Sequence, residues 1–213
     1  MPADRIHLVR HAEVHNPDGV LYGRLENYRL TDRGHLMAKA AADFLAASNR
    51  KMSALFVSPL QRARESAKPI QAAFGLTPIV DERLIEPYNI FEGMNIKGGR
   101  LLVRPHLWFH LRNPRTPSWG EPFTEVAERM LAVINEAFDS VSSGDVVLVS
   151  HQLPIWMAHS VAVGKSLPHN PAIRRCSLSS ITSFERNDGK LIEVDYQEPA
   201  KKLLQGAVDE GAV

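Results

Sequence analysis

The sequence predicts an α/β protein: a three-layer α/β/α sandwich around a mostly parallel, mixed central sheet. Three observations predict it. Apolar runs of strand length occur at residues 5–9, 54–57, 78–80 and 146–149. Stretches with a helical apolar period alternate with them, at about 31–45, 58–74, 121–141 and 153–163. Two last apolar runs, 179–184 and 191–196, flank Asn187-Asp188-Gly189, which reads as a hairpin turn. Alternating strands and helices imply parallel strands joined by crossovers, with helices on both faces.

Each element has a local reason. Thr31 is a suitable N-cap for a first helix whose apolar face is Leu36, Met37, Ala40, Ala41, Phe44 and Leu45. Ser58-Pro59-Leu60-Gln61 combines an N-cap Ser, a Pro at the first helical position and a Gln at the third, so a second helix is expected from there to about Phe74. Gly75 supplies its stop. The longest helix, from Glu121, carries Phe123, Val126, Ala127, Met130, Leu131, Ile134, Ala137, Phe138 and Val141 on one face. The run 146–149 is continuously apolar, as a strand covered on both sides is. Residues 87–120 fit no element and read as an inserted lid, and 198–213 as a flexible, frayed tail.

Composition sets the wider frame. The 213 residues, 44% hydrophobic and 23% charged, match one globular domain spanning 1–213 that buries roughly 70% of its unfolded surface. A net charge of +1 argues against attraction of the whole surface to nucleic acid or membrane. A single cysteine, Cys176, excludes an intrachain disulfide and a Cys-rich metal cluster, and fits a reducing compartment. No apolar run reaches the ~18 residues of a membrane span, and Met1 to Arg5 opens no signal-peptide core. The expectation is a cytoplasmic protein; oligomeric state, a homodimer included, stays open.

In open α/β sheets, ligands bind beyond the carboxyl ends of the strands. Those ends are followed here by Arg10-His11, by Ser58-Pro59-Leu60-Gln61-Arg62 and by Ser150-His151. Two guanidinium forks, which match phosphate oxygens, therefore meet two imidazoles at one sheet edge. Arg62 falls in the first turn of a helix, whose amide end also favours an anion. A neutral imidazole can attack phosphorus directly, and Glu86, just after the third strand, is a candidate proton donor to the leaving group. Singly, each of these residues has an ordinary explanation. Their joint placement points to a phosphoryl pocket.

An ordered set of short motifs adds to this reading: Leu8-Val9-Arg10-His11-Ala12-Glu13 with Asn16, Tyr22-Gly23-Arg24, Leu30-Thr31-Asp32-Arg33-Gly34, Ser58-Pro59-Leu60-Gln61-Arg62-Ala63, Glu86 with Phe91-Glu92-Gly93, Gly120-Glu121 and Val149-Ser150-His151. The set resembles the histidine phosphatase superfamily, the phosphoglycerate mutase-like fold, over residues 5 to about 160. The resemblance implies His11 as the nucleophile that becomes phosphohistidine, with Arg10, Arg62 and His151 on the phosphoryl oxygens and Glu86 as proton donor. It places Asn16 and Arg24 at phosphate- or substrate-contacting positions. Three departures stand out: Ala12 and Gln152 occupy positions where the family usually has Gly, and Asn16 lies one residue closer to His11 than in many members. The backbone N–H of Gln152 still suits an oxygen of the substrate.

Competing patterns fail on spacing. His106 and His110 could share a helix face as metal ligands, but no third ligand is fixed nearby. Gly164-Lys165-Ser166 lacks the earlier Gly of a phosphate-binding loop, since position 159 is His. Thr182 stands where a cysteine phosphatase would need Arg, and Arg10-His11 stand where an aspartyl phosphatase would need paired aspartates. The expected activity is a metal-independent phosphomonoesterase without a cofactor, acting on a small phosphorylated metabolite. The alternatives are a phosphoglycerate mutase and a non-catalytic phospho-ligand sensor on the same fold. Between Gly93 and Gly120, Lys97, Arg100, Arg104, Arg112 and Arg115 face no acidic residue in sequence. Arg104 and Arg112 are therefore expected to read a second anionic group on the substrate.

Overall fold

The computed structural model describes residues 2–96, 105–113 and 117–209, without the side chains of 106, 110, 111 and 172. Its strands are β1 (Ile6–Arg10), β2 (Met52–Val57), β3 (Pro78–Val80), β4 (Asp145–Ser150), β5 (Ile181–Asn187) and β6 (Lys190–Gln197). Its helices are α1 (Asp32–Ala47), α2 (Gln61–Phe74), α3 (Phe123–Asp139) and α4 (Gln152–Ala162). The strands form one six-stranded mixed sheet in the order β3-β2-β4-β1-β5-β6. The first four positions in that order run parallel, and β5 and β6 add an antiparallel edge.

The pleat of β4 divides the core. Val146 and Leu148 face one layer, packing with Ile6, Leu8, Met130, Ile134, Phe138 and Ile155 from β1, α3 and α4. Val147 and Val149 face the other, with Val9, Leu55 and Val57 against Ala41, Leu45, Ala63, Ala67 and Ile70 of α1 and α2. Every residue of β1 and β4 is buried, which is why β4 reads as an unbroken apolar run rather than an alternating one.

Several local expectations need correction. Thr31 does cap α1, its hydroxyl accepting from the Gly34 amide at 2.9 Å, but the buried face is Met37, Ala38, Ala41, Ala42 and Leu45. Leu36 and Phe44 are exposed, because packing on α2 rotates the helix and small alanines let the two approach. Helix α2 starts at Gln61, with Leu60 at the cap position and no side-chain cap. Ser58 is instead drawn back to β4, its amide bonding to the Val149 carbonyl at 3.0 Å. The hairpin forms as expected, with Asp188 and Gly189 at φ 50° and 74°, the two left-handed residues of a tight turn.

Residues 198–209, expected as a frayed tail, make defined contacts with the body of the sheet and helices. Ala200 is buried, and Leu203, Leu204 and Ala207 pack beside Tyr22, Met37 and Leu178. Arg33 donates to the carbonyls of Gln205 and Gly206 at 3.3 and 2.9 Å. Four scattered apolar residues carry no period, so their docking left no pattern to read. Within 87–120, the described ends are pinned together: Ile90 N–H bonds to Trp119 O at 2.8 Å and Glu121 N–H to Tyr88 O at 3.2 Å. A Cβ at Gly120 would come within 2.4 Å of the Tyr88 carbonyl, so only glycine permits this closure.

A buried ion pair ties the amino-terminal end of the sheet. Asp145 accepts from Arg50 Nε and Nη2 at 2.5 and 2.7 Å and lies 3.0 Å from His7 Nε2. Burial opposes its charge, but Arg50 and His7 outweigh burial and hold its pKa down to about 2. A depressed carboxylate pKa contributes stability above its unfolded value and loses it as pH falls toward the folded one. Asp145→Asn should therefore cost about 2 kcal/mol at neutral pH. In urea unfolding, the gap to wild type should shrink between about pH 4 and pH 2. A gap independent of pH would mean the pair contributes only packing.

Candidate active site

The parallel ladder fixes the centre of the site. Arg10 and Ser150 are register partners on β1 and β4, so His11 and His151 leave the sheet edge together, with ring centroids 5.1 Å apart. The His11 amide extends the ladder to the Ser150 carbonyl at 3.0 Å. The next amide, Ala12 N–H, bonds to Ser66 Oγ at 3.0 Å, and that hydroxyl donates to the Arg62 carbonyl at 2.8 Å. The turn bearing His11 is thus hung between β4 and the first turn of α2.

The His11 ring is oriented by its own backbone. Nδ1 lies 2.8 Å from the Ala12 carbonyl, which can only accept, so Nδ1 carries the proton and Nε2 the lone pair. Burial and then the charges of Arg62 and Arg10 hold its pKa well below the usual histidine value, so the ring is neutral at pH 7. His151 is lowered in the same direction, by burial first and then by Arg62 and His11. Its Nε2 lies 2.7 Å from Ser58 Oγ, while its buried Nδ1 makes no hydrogen bond and sits 3.8 Å from Glu86 Oε2.

Two guanidinium groups are buried beside these rings. Arg62 is 1% exposed, donates to the Gly23 carbonyl at 2.5 Å and lies 4.7 Å over the Tyr22 ring; its Nε has no partner. Arg10 is fully buried, and its Nε is also unpartnered. Its terminal nitrogens are engaged by the Cys176 carbonyl at 2.6 Å and by both carboxylate oxygens of Asp209. Burial works against the Arg10 charge, but Asp209 more than offsets it and raises the pKa.

Glu86 reaches the same place by a separate route. Ser150 Oγ donates to the Leu84 carbonyl at 2.7 Å, and Arg24 Nε donates to the Glu86 carbonyl at 2.7 Å, which fixes the segment after β3 over the end of β4. Burial pushes the Glu86 pKa up to about 7, against the pull of Arg62, Arg174 and Arg10. Glu86 lines a cleft together with Leu21, Gly23, Tyr88, Trp119, Phe123 and Leu153. The site therefore offers a lone-pair nitrogen, two fixed positive charges and a carboxyl that exchanges its proton near neutral pH.

The structure thus brings His11, Arg10, Arg62, His151 and Glu86 together, and it moves the outer candidates. Asn16 is spent on its own loop, its amide bonding to the Val20 carbonyl at 2.8 Å and its oxygen accepting from the Val20 amide at 3.2 Å. Arg24 clamps the base of the 87–120 segment, reaching Glu121 at 2.9 Å as well as Glu86. Gln152 opens α4, with its Oε1 3.3 Å from Arg174 Nη1. Arg112 is exposed and stacks 4.0 Å over Phe109 rather than lining the cleft, because its own aromatic neighbour offers a nearer face. Arg104, Lys97, Arg100 and Arg115 lie outside the described residues, as do the side chains of His106 and His110.

Three participants, Ser66, Arg174 and Asp209, escaped the sequence reading, while Glu92 stood in its motif set without a role. Ser66 lies one helical turn after Arg62, and that i, i+4 spacing was a usable signal. Glu92 accepts from Arg24 N–H at 2.9 Å, in a contact so close that a Cβ at Gly23 would fall 2.2 Å from its oxygen. Arg174 and Asp209 arrive from distant irregular segments, where no local pattern marks them.

This arrangement and the sequence model agree on a class. Residues 6–198 match the histidine phosphatase superfamily (branch 1), and the chain belongs to that family. It is 45% identical over 202 residues to the uncharacterized protein Rv0525 of Mycobacterium tuberculosis, covering 94% of this chain and 99% of that one. It is 29% identical over 219 residues to the probable phosphoglycerate mutase GpmB of Yersinia pestis, covering 98% and 92% of the two chains. The fold is that of a phosphoserine phosphatase mutant from Entamoeba histolytica solved with phosphoserine, at TM-score 0.73 and 18% identity, over 92% of this chain and 97% of that one. The family contains phosphatases and mutases.

Ser66 provides a test of the site's scaffold. Ser66→Ala leaves the buried Ala12 amide without its acceptor, which should cost about 1–3 kcal/mol in urea unfolding. The same variant should weaken binding of orthophosphate in calorimetry, since the His11 turn loses its tie to Arg62. Unchanged phosphate binding would show that β4 alone holds the turn.

Proposed function

We infer that the protein is a phosphomonoesterase that works through a phosphohistidine at His11 and needs no metal ion. The observation that carries this reading is the His11 Nδ1 to Ala12 carbonyl bond, which leaves a neutral lone pair on Nε2 of a ring that lies 5.1 Å from His151 and feels the charges of Arg62 and Arg10. In the first transfer, Nε2 attacks phosphorus, the P–O ester bond breaks, and Glu86 gives its proton to the leaving alkoxide. In the second, a water attacks phosphorus, the P–N bond breaks and returns its electron pair to His11 Nε2, Glu86 takes a proton from the water, and inorganic phosphate leaves. Arg62, Arg10 and His151 supply the preorganised positive charge and hydrogen-bond donors that a metal ion would otherwise provide.

Arg174 supports a substrate with a second anionic group. This arginine is 9% exposed, bonds to Gln152 beside His151 and to His169 at 2.7 Å, and its charge acts on Glu86. His169 in turn packs on Phe123, a wall of the Glu86 cleft. Arg174 is thus a further candidate for reading that group, beside the expected Arg104 and Arg112. The mutase alternative rests on the likeness to the Yersinia protein. Isomerisation of 3-phosphoglycerate, primed with a bisphosphoglycerate and faster than phosphate release, would decide for it.

The phosphatase reading makes three measurable commitments. Brief incubation with labelled substrate should yield an acid-labile, alkali-stable phosphoenzyme that His11→Ala lacks, and turnover should survive EDTA; label on serine or aspartate would overturn the mechanism. For esters with poor leaving groups, kcat/KM should fall above about pH 7 as Glu86 loses its proton. Glu86→Gln should abolish that limb while sparing p-nitrophenyl phosphate, and an equal loss on both esters would deny the proton-donor role. Arg174→Gln should lower kcat/KM for a phosphorylated carboxylate by ~10-fold or more relative to p-nitrophenyl phosphate, about 1.4 kcal/mol. Equal changes on both would remove Arg174 from substrate recognition.

A further inference from the structure

The docked tail reaches the anion site itself. Arg10 Nη1 donates to Asp209 Oδ2 at 2.7 Å and Nη2 donates to Oδ1, so the carboxylate takes the paired donors of the guanidinium fork. A phosphoryl group on His11 would need the same donors. The charge of Asp209 also acts on Tyr22, whose ring lies under Arg62 and 6.2 Å from His11. The carboxylate therefore stands within the cluster of groups that surrounds His11.

Asp209 is delivered there by a defined path. Arg33 holds the carbonyls of Gln205 and Gly206, and the Val208 amide donates to Glu13 Oε1 at 2.8 Å. Glu13, two residues past His11 and 2% exposed, is itself fixed by Thr31 Oγ1 at 2.6 Å and Arg33 Nε at 2.8 Å. The tail thus leans on the loop that carries His11. The Asp209 side chain keeps 38% of its surface exposed while Arg10 has none, so a competing anion would move the tail rather than Arg10.

We propose that the tail caps the site: Asp209 acts as an internal anion that competes with the phosphoryl group for Arg10, and substrate binding displaces it. The proposal rests on the phosphoryl-pocket reading above. A carboxylate tethered by a few residues competes at an effective concentration on the order of millimolar. The affinity measured for any phosphate then falls by the fraction of molecules in which the tail is lifted. The reverse role, in which Asp209 holds Arg10 in place for the substrate, predicts the opposite sign.

Calorimetry with orthophosphate separates the two without relying on turnover. Asp209→Asn and Asp209→Ala should each bind orthophosphate about 3- to 10-fold more tightly than wild type. The KM for p-nitrophenyl phosphate should fall in parallel, with kcat undiminished. Thermal unfolding of both variants shows whether the fold is kept, and tighter binding itself reports an intact pocket. Unchanged or weaker phosphate binding in the two variants would overturn the cap while leaving the pocket reading intact, provided that Arg62→Ala weakens phosphate binding to wild type. Orthophosphate that binds neither wild type nor variant would overturn both.

Discussion

Arg10 and Ser150 face each other in the parallel ladder between β1 and β4, and everything chemical in this protein follows from where that ladder stops. Parallel strands end on the same edge, so the residues after them, His11 and His151, emerge as neighbours although 140 positions separate them. Ser58 reaches the same edge because β2 is the other parallel neighbour of β4. Helix α2 then starts within three residues and turns Arg62 back over the edge. A slip of one residue in the β1–β4 register would flip the side chains of one strand to the opposite face. His7, held by Ser183 and Asp145, opposes such a slip, since it would lose both partners.

Burying two guanidinium groups and two imidazoles in one place is electrostatically costly, and the structure manages the cost by keeping the rings neutral. The same burial that lowers the histidines raises Glu86, since low polarity disfavours every charged form. One environment thus produces both a lone-pair nitrogen and a carboxyl that holds its proton near neutral pH. The permanent charges of Arg10 and Arg62 remain, because a guanidinium does not shed its proton in the accessible range. Their fixed charge makes the site receptive to an anion, whether a phosphoryl group or the carboxylate of Asp209.

The surroundings of the site are built from contacts that irregular segments make with one another and with helices α1 and α2. Arg24 ties Glu86 to Glu121, Ser66 ties Ala12 to Arg62, and Glu13 ties the His11 loop to both Arg33 and the tail. Each fixes a backbone segment whose position sets the distance between a ring, a fork and a carboxyl, and such tolerances are tight for phosphoryl transfer.

The sequence by itself determined the alternation of strands and helices, the hairpin, and the group His11, Arg10, Arg62, His151 and Glu86. Strand and helix periods are local properties, and residues at strand ends inherit their meeting place from the topology. Tertiary structure decided which face of α1 is buried, because the competing faces of Leu36 and Ala38 are equivalent until α2 packs against one of them. It decided that Ser58 would serve His151 rather than cap a helix, and that Asn16 and Arg24 would brace loops. It alone brought in Arg174 and Asp209, since side chains on irregular segments are placed by whatever contacts the whole chain closes, and no pattern along the chain records those contacts.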